Sequence, residues 1–244
     1  MFEWYYSLIF IVLLQFTLAF VYSAYLHREV SHRLVKFRPG WIRFFRIFIW
    51  GIGFWWPNLW KTWATAHRKH HIFPDTEQDP NSPNVHSIYQ ILFDGGLPGE
   101  IYYISAQDVE KYANDVPQYN DELEKFFANY QKWGVYALHA IFFVLFGLGG
   151  LVAFAVGYQV ILISPKIHSI VTHRWGYRLR PATGTDQSRN SWPVFFFWWG
   201  EELNANHHDR PGSAKFSERW WEFDSIYAVL KILAYFDQVE LTEY

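Results

Sequence analysis

The sequence predicts an all-α integral membrane protein with about three transmembrane helices, an interfacial helix and a cytosolic helical cap carrying a histidine-rich site. Two long runs without a charged residue and a clustered distribution of histidines predict it. The chain has 244 residues, with 14 Trp, 16 Tyr, 23 Phe and 11 His but no Cys. Its mean hydropathy of −0.09 looks soluble only because the apolar residues are segregated.

The first run, Tyr5 to Leu26, is 22 residues long, about what a helix needs to cross a bilayer. A signal peptide needs a basic start and a small-residue cleavage site. Here only Glu3 precedes the run, and no such site follows. The second run, Trp133 to Pro165, is 33 residues. As one straight helix it would be about 50 Å long, against a hydrocarbon core of about 30 Å. Glycines at 147, 149 and 150 near its middle favour a turn. The expectation is a helical hairpin with spans near 131–147 and 151–172. A third apolar stretch, residues 41–60, carries Arg43, Arg46 and five Trp. Tryptophan with basic residues favours the lipid–water boundary, so this stretch is expected to lie in the membrane surface. Nine Lys or Arg fall between Leu26 and His71. The positive-inside rule puts that side in the cytoplasm, with the amino terminus outside and the carboxyl terminus inside. The cap then comprises residues 61–130 and 173–244.

Eight histidines fall into four patches: His27 and His32 in HREVSH, His67, His70 and His71 in HRKHH, His173 in THRWGYR, and His207 and His208 in NANHH. One span, one surface helix and one hairpin place all four on the cytoplasmic side. If residues 41–60 crossed the bilayer, the first two patches would lie on opposite faces. In HRKHH the offsets of three and four suit one helical face. In HREVSH the offset of five turns the second histidine about 140° on a regular helix. Those two either serve different metals or sit on an irregular helix end.

With no Cys, a thiolate zinc site, an iron–sulfur cluster, a disulfide framework and a cysteine nucleophile are excluded. Any metal must be held by nitrogen and oxygen. Eight imidazoles exceed the three protein ligands of a catalytic zinc, which implies two metals. HExxH is absent, and the carboxylate di-iron pattern needs two E-x-x-H motifs where this chain has one, Glu29 to His32. A net charge of −2 and a pI near 6.6 argue against a nucleic-acid partner.

HX4H, then HXXHH, then a final XXXHH box resembles the membrane fatty acid desaturases, the stearoyl-CoA desaturase superfamily. HRKHHIFPDTEQDPNSP, the Trp175-Gly176-Tyr177-Arg178 that follows His173, and GEELNANHHDRPGSAKFSERWWEFD are similar to bacterial members. The resemblance covers residues 17–240 and is nearest a short bacterial subgroup with one span before the first box. It implies two iron ions (Fe2+/Fe3+) on the cytosolic side of an inner membrane. His27, His32, His67, His70, His71, His173, His207 and His208 would be their ligands. It also implies O2 as co-substrate, removal of two hydrogens from a fatty acyl chain on CoA, acyl carrier protein or lipid, and chemistry carried by the iron. Animal members read His-Asn-x-His-His where this chain has Asn204. An Asn often four residues before His173 is here Ser169. Asn204, Ser169 and the neighbouring His168 are therefore candidates for weak or water-mediated ligation.

A membrane di-iron hydroxylase with the same centre is the alternative reading, and a non-enzymatic haem or metal redox protein a more distant one. No haem or flavin domain pattern follows His208, so electrons are expected from a separate ferredoxin- or cytochrome-type donor. His139 is expected to pack within the hairpin or line a substrate tunnel, and His86 to lie on the surface. Residues 72–131, with 11 Asp or Glu and two Lys, read as a solvated acidic surface. Arg178, Arg180, Arg210 and Lys215 are expected either to meet headgroups or an anionic carrier, or to be structural.

Overall fold

The structure, a computed structural model, describes residues 2–94, 104–192 and 198–242. Helix α1 (Tyr6–Phe20) runs without a break into a π-helical stretch, Val21–Ser31. Then come β1 (Val35–Phe37), α2 (Pro39–Gly51), α3 (Leu59–Ile72), a π turn at Gln90–Asp94, α4 (Ala106–Tyr112) and α5 (Glu122–Asn129). The long α6 (Trp133–Thr172) is followed by α7 (Asn204–Asp209), α8 (Ser225–Tyr235) and β2 (Val239–Leu241). The fold is mostly helical rather than all-α. β1 and β2 pair antiparallel, with Val35 opposite Leu241 and Phe37 opposite Val239. Alternating Val-Lys-Phe buries its two apolar side chains and turns Lys36 outward, the period of a half-buried strand.

Among the described residues, two helices are long and apolar enough to cross a membrane, Tyr6–Ser31 and Trp133–Thr172. Their outer faces are apolar and exposed: Leu8, Ile9, Val12 and Leu13 on one, Val144, Leu148, Val152, Val156 and Val160 on the other. A continuous apolar surface of this kind marks a lipid or partner contact.

Helix α6 folds back on itself. Gly147 has φ 69° and ψ −164°, a backbone state natural only to glycine. The rings of Phe142 and Phe154 stack 4.1 Å apart. On a straight helix their Cα atoms would be separated by about 18 Å along the axis. His139 meets Phe154 and Tyr158 across the same seam. Its Nδ1 lies 2.8 Å from the Val135 carbonyl, so it is a packed residue of the hairpin.

The stretch 41–60 is not one helix: α2 stops at Gly51 and α3 starts at Leu59. Gly53 (φ 74°), Pro57 and Asn58 (φ 63°) turn the chain before α3 begins. The two faces of α2 differ. Phe45, Arg46 and Ile49 are buried, while Arg43, Phe44 and Ile47 are exposed. The buried Arg46 guanidinium forks onto Asp121 at 2.7 and 2.6 Å and reaches Glu124 at 2.9 Å. Glu124 also accepts from Trp55 and Trp60. This polar knot fixes α5 onto the buried face of α2.

Candidate metal centre

The π-helical stretch answers the spacing of the first patch. The amide of His32 donates to the His27 carbonyl at 3.1 Å, and Ser31 Oγ donates to the Leu26 carbonyl five residues back. An i→i+5 ladder stacks residues five apart, where an α-helix would turn them well away from each other. The two rings come within 5.1 Å. On α3, His67 and His71 are one turn apart and share a face, with Nε2 atoms 3.0 Å from each other. His70 points elsewhere. On α7 the adjacent His207 and His208 diverge by about 100°.

The eight histidines thus divide into two neighbouring groups. His27, His32, His67, His71 and His207 bring one ring nitrogen each to within 4.8 Å of one another, and His70, His173 and His208 do the same. In the first group the Nε2 atoms form a chain: His32 to His67 2.8 Å, His67 to His71 3.0 Å, His71 to His207 3.0 Å, His207 to His27 2.8 Å. Imidazole lone pairs converge in this way around a cation. With metal–nitrogen bonds of about 2.1 Å, ligands at right angles stand about 3.0 Å apart and tetrahedral ligands about 3.4 Å. The spacing and the number five therefore suit a centre of higher coordination than tetrahedral zinc. The groups abut, with the His71 and His208 rings 4.4 Å apart.

Four carboxylates stand behind the rings. Glu201 lies 2.6 Å from His27 Nδ1, Asp79 2.8 Å from His70 Nδ1, Asp75 3.1 Å from His173 Nδ1 and Asp186 3.4 Å from His208 Nδ1. Burial opposes ionisation of Glu201, Asp75 and Asp186, but the facing imidazoles outweigh it and hold all three carboxyls well below the usual carboxylate range. Asp79 is lowered likewise against its burial, first by His70. An ionised carboxylate only accepts, so the nitrogen each partner ring turns toward its carboxylate is a protonated Nδ1, and Nε2 is the atom that faces the candidate metal position. Burial first, then neighbouring histidines, pushes His32, His67, His71 and His207 well below their ordinary value. Burial likewise pushes His208 down to about 4. Rings held neutral in this way are competent ligands.

Asn204 stands beside the second group, its side-chain amide nitrogen 3.3 Å from His173 Nε2. The oxygen and nitrogen of an amide exchange places by a flip, so the same position can offer oxygen. Asn204 lies one α7 turn before His208 and on its face. His168 belongs to neither group. The His168 ring packs 5.1 Å from Trp198 instead. Ser169 lies one turn before His173 on α6, and its carbonyl accepts from the His173 amide at 3.2 Å. The Phe216 ring covers His207 at 4.3 Å, and the Arg28 guanidinium lies 3.7 Å from the centre of the same Phe216 ring. Arg28, fully buried, donates to Glu201 at 2.8 Å and to both Asp224 oxygens. On the α1 side, Tyr22 meets Trp63 at 5.3 Å, His27 at 6.4 Å and Trp198 at 6.5 Å, an apolar wall next to the first group.

Two expectations change, and for three of four cations the structural alternative is favoured. Residues 72–131 are not simply a solvated acidic face, because Asp79 and Glu124 are buried and Asp75 backs His173. His86 is half-buried, with Nε2 3.1 Å from the Asp79 carbonyl, because the loop after α3 wraps round that carboxylate. Of the four cations, Arg178 is paired with Asp186 and Asp209, Arg180 with Glu218 and Asp209, and Arg210 with Glu218. Lys215 alone of the four is outside these pairs and exposed. The orienting carboxylates were not singled out from sequence, although Asp75, Asp79 and Glu201 lie inside the motifs that carry the resemblance.

A family model for fatty acid desaturases matches residues 3–243. Relatives include the Delta-9 acyl-lipid desaturase 1 of Arabidopsis thaliana, 28% identical over 85% of this chain and 65% of its own length. The sn-1 stearoyl-lipid 9-desaturase of Anabaena variabilis is 28% identical over 85% of this chain and 72% of its own. The Acyl-CoA C20 Delta5-desaturase of Anemone leveillei is 29% identical over 86% and 64%. The chain thus spans slightly under two thirds of two of these relatives. With its histidine groups in place and residues 3–243 matched by the family model, the chain belongs to the fatty acid desaturase family.

Proposed function

We propose that this protein is an oxygen-dependent acyl desaturase that introduces a double bond into a fatty acyl chain at a pair of iron ions. The observation that carries the reading is the partition of eight imidazoles into two abutting groups, backed by four carboxylates. His27, His32, His67, His71 and His207 would hold one ion. His70, His173 and His208, with Asn204 beside them, would hold the other. Two of the four carboxylates are also held by arginine: Arg28 bridges Glu201 and Asp224, and Arg178 bridges Asp186 and Asp209. Bound there, iron supplies the oxygen activation needed to take hydrogen from an unactivated methylene.

The chain's own residues do the rest. Glu201, Asp75, Asp79 and Asp186 hold protons on Nδ1 and keep the ring planes fixed. Phe216 and the wall of Tyr22, Trp63 and Trp198 exclude water and offer an acyl chain an apolar approach. A segment of about residues 5–26 and the two arms of α6 would cross the bilayer three times. α2 would lie at its surface, and the centre would face the cytoplasm of a bacterial inner membrane. Electrons would come from a separate donor protein.

The test is lipid profiling of a desaturase-deficient host expressing the chain. The reading predicts a new unsaturated acyl species that requires oxygen. A product carrying an added oxygen with its hydrogens otherwise retained would assign the chain as a hydroxylase. No new product, with the protein inserted and metal-loaded, would overturn the assignment.

A further inference from the structure

Helix α8 carries an apolar face that nothing in the described structure covers. Ile226 and Leu230 are buried, and α8 packs against the π-helical stretch at Val21–Ser31. The other side presents Ile232, Tyr235 and Phe236 at offsets of three and four, all exposed, with Tyr235 at 85%. An exposed stripe of this kind at the end of a short helix calls for an occupant.

Three observations identify it. The amino end of α8 sits where α1 leaves its lipid-facing stretch: the Ile226 amide donates to the Trp199 carbonyl, and the Trp199 ring meets Phe16 of α1 at 5.5 Å. Helix α2 reaches the same level from its own side, with Trp41 and Phe45 against Phe20 of α1 at 6.0 and 5.8 Å. The two helices are also tied together. The Arg38 amide donates to the Gln238 carbonyl and its Nε to the Asp237 carbonyl at 2.8 Å, and β1 pairs with β2 directly beyond. The carboxyl end of α8, at Phe236, and the amino end of α2 are therefore held at one ribbon.

The flanking charge is basic. Lys36, Arg38, Arg43 and Lys231 are exposed around the apolar faces of α8 and α2, against Asp237 and Glu240. Aromatic side chains with basic neighbours favour the headgroup region of an anionic bilayer.

We infer that α8 is a second interfacial helix, seated on the same leaflet as α2, so that the carboxyl-terminal segment is a membrane anchor rather than part of a wholly aqueous cap. This rests on the membrane placement proposed above for α2. Seated so, Ile232, Tyr235 and Phe236 enter the boundary region, and Lys231 and Arg38 reach phosphates. The anchor would also steady the π-helical stretch that carries His27.

The absence of native cysteine allows single-site labelling. Tyr235→Cys, Phe44→Cys and Gly212→Cys are each labelled with an environment-sensitive fluorophore in the full chain. Each is then reconstituted in phosphatidylcholine vesicles containing phosphatidylglycerol. Gly212 is exposed and has no neighbour within 4 Å of an added Cβ, so it reports the aqueous side. The inference predicts that labels at 235 and 44 are quenched by brominated lipid and shielded several-fold from iodide, while the label at 212 is quenched by iodide. Iodide quenching at 235 with lipid quenching at 44 would overturn the inference and leave α2 in place. Iodide quenching at both would remove the placement on which it rests. Shielding at 235 from both quenchers would assign the face to a protein partner and overturn the lipid seat.

Discussion

Replacing Asp79 by Asn tests whether the carboxylates orient the metal ligands. Asp79 is 0% exposed. Its Oδ2 accepts from His70 Nδ1 and from the Asp75 amide, both at 2.8 Å, and its Oδ1 accepts from the Asn81 amide at 2.9 Å. Asparagine keeps the shape but supplies one acceptor and one donor group. If its NH2 faces His70, that ring must carry its proton on Nε2 and loses the lone pair aimed at the second metal. If the amide flips, the Asn81 amide faces a donor instead. The first arrangement costs about 10–100-fold in metal affinity, or about 1.4–2.7 kcal/mol. Either arrangement leaves a backbone donor unsatisfied, at about 1–3 kcal/mol of folding stability. The assay is chelator titration of the purified, iron-loaded variant, with a thermal melt on the same sample. One metal per chain should leave at 10–100-fold lower chelator concentration than in wild type, while the five-histidine group keeps its own. Asp79→Leu cannot accept from His70 in any orientation, so unchanged retention of both metals in folded Asp79→Asn and Asp79→Leu proteins alike would refute the orienting role.

Four further outcomes follow from the same geometry. His71→Ala should abolish product and empty the five-histidine group while the protein still inserts, as judged by membrane fractionation; near-wild-type activity would count against the ligand set. His168→Gln should leave metal content unchanged, because its ring packs on Trp198 and belongs to neither group; loss of one metal would make it a ligand. Gly147→Val should destabilise the hairpin by about 1–3 kcal/mol, since φ 69° with ψ −164° is strained for any side chain; an unchanged melting temperature in detergent would contradict the reversal at that residue. Arg46→Met leaves the buried Glu124 and the exposed Asp121 without their cation. It should cost about 3–5 kcal/mol, read as a fall in melting temperature.

The metal centre is more legible in the sequence than the scaffold is. The offsets of three and four in HRKHH are converted by α3 into neighbouring faces, and the four patches mark candidate ligands only as a set. The division between the two groups is harder to read. It depends on a π-helical ladder from Val21 to Ser31, which no periodicity in HREVSH announces, and on His70 and His208 turning away from their neighbours. The orienting carboxylates are hidden for another reason. Asp75 and Asp79 lie in a stretch dense in acidic residues, where composition predicts solvent exposure and only the tertiary wrap after α3 reveals burial. In the same way, nothing local marks Glu124 as the partner of Arg46 across 78 positions. The stop at Gly51 and the short ribbon of β1 and β2 are absent from the helical reading because three-residue strands carry too little pattern to register.

The most direct test of the account is the metal content of the purified protein after reconstitution with ferrous iron. Two irons per chain, with no Soret band, is the result predicted by five imidazoles in one group and three in the other. Tightly bound zinc that iron cannot replace, or a haem absorbance, would contradict it.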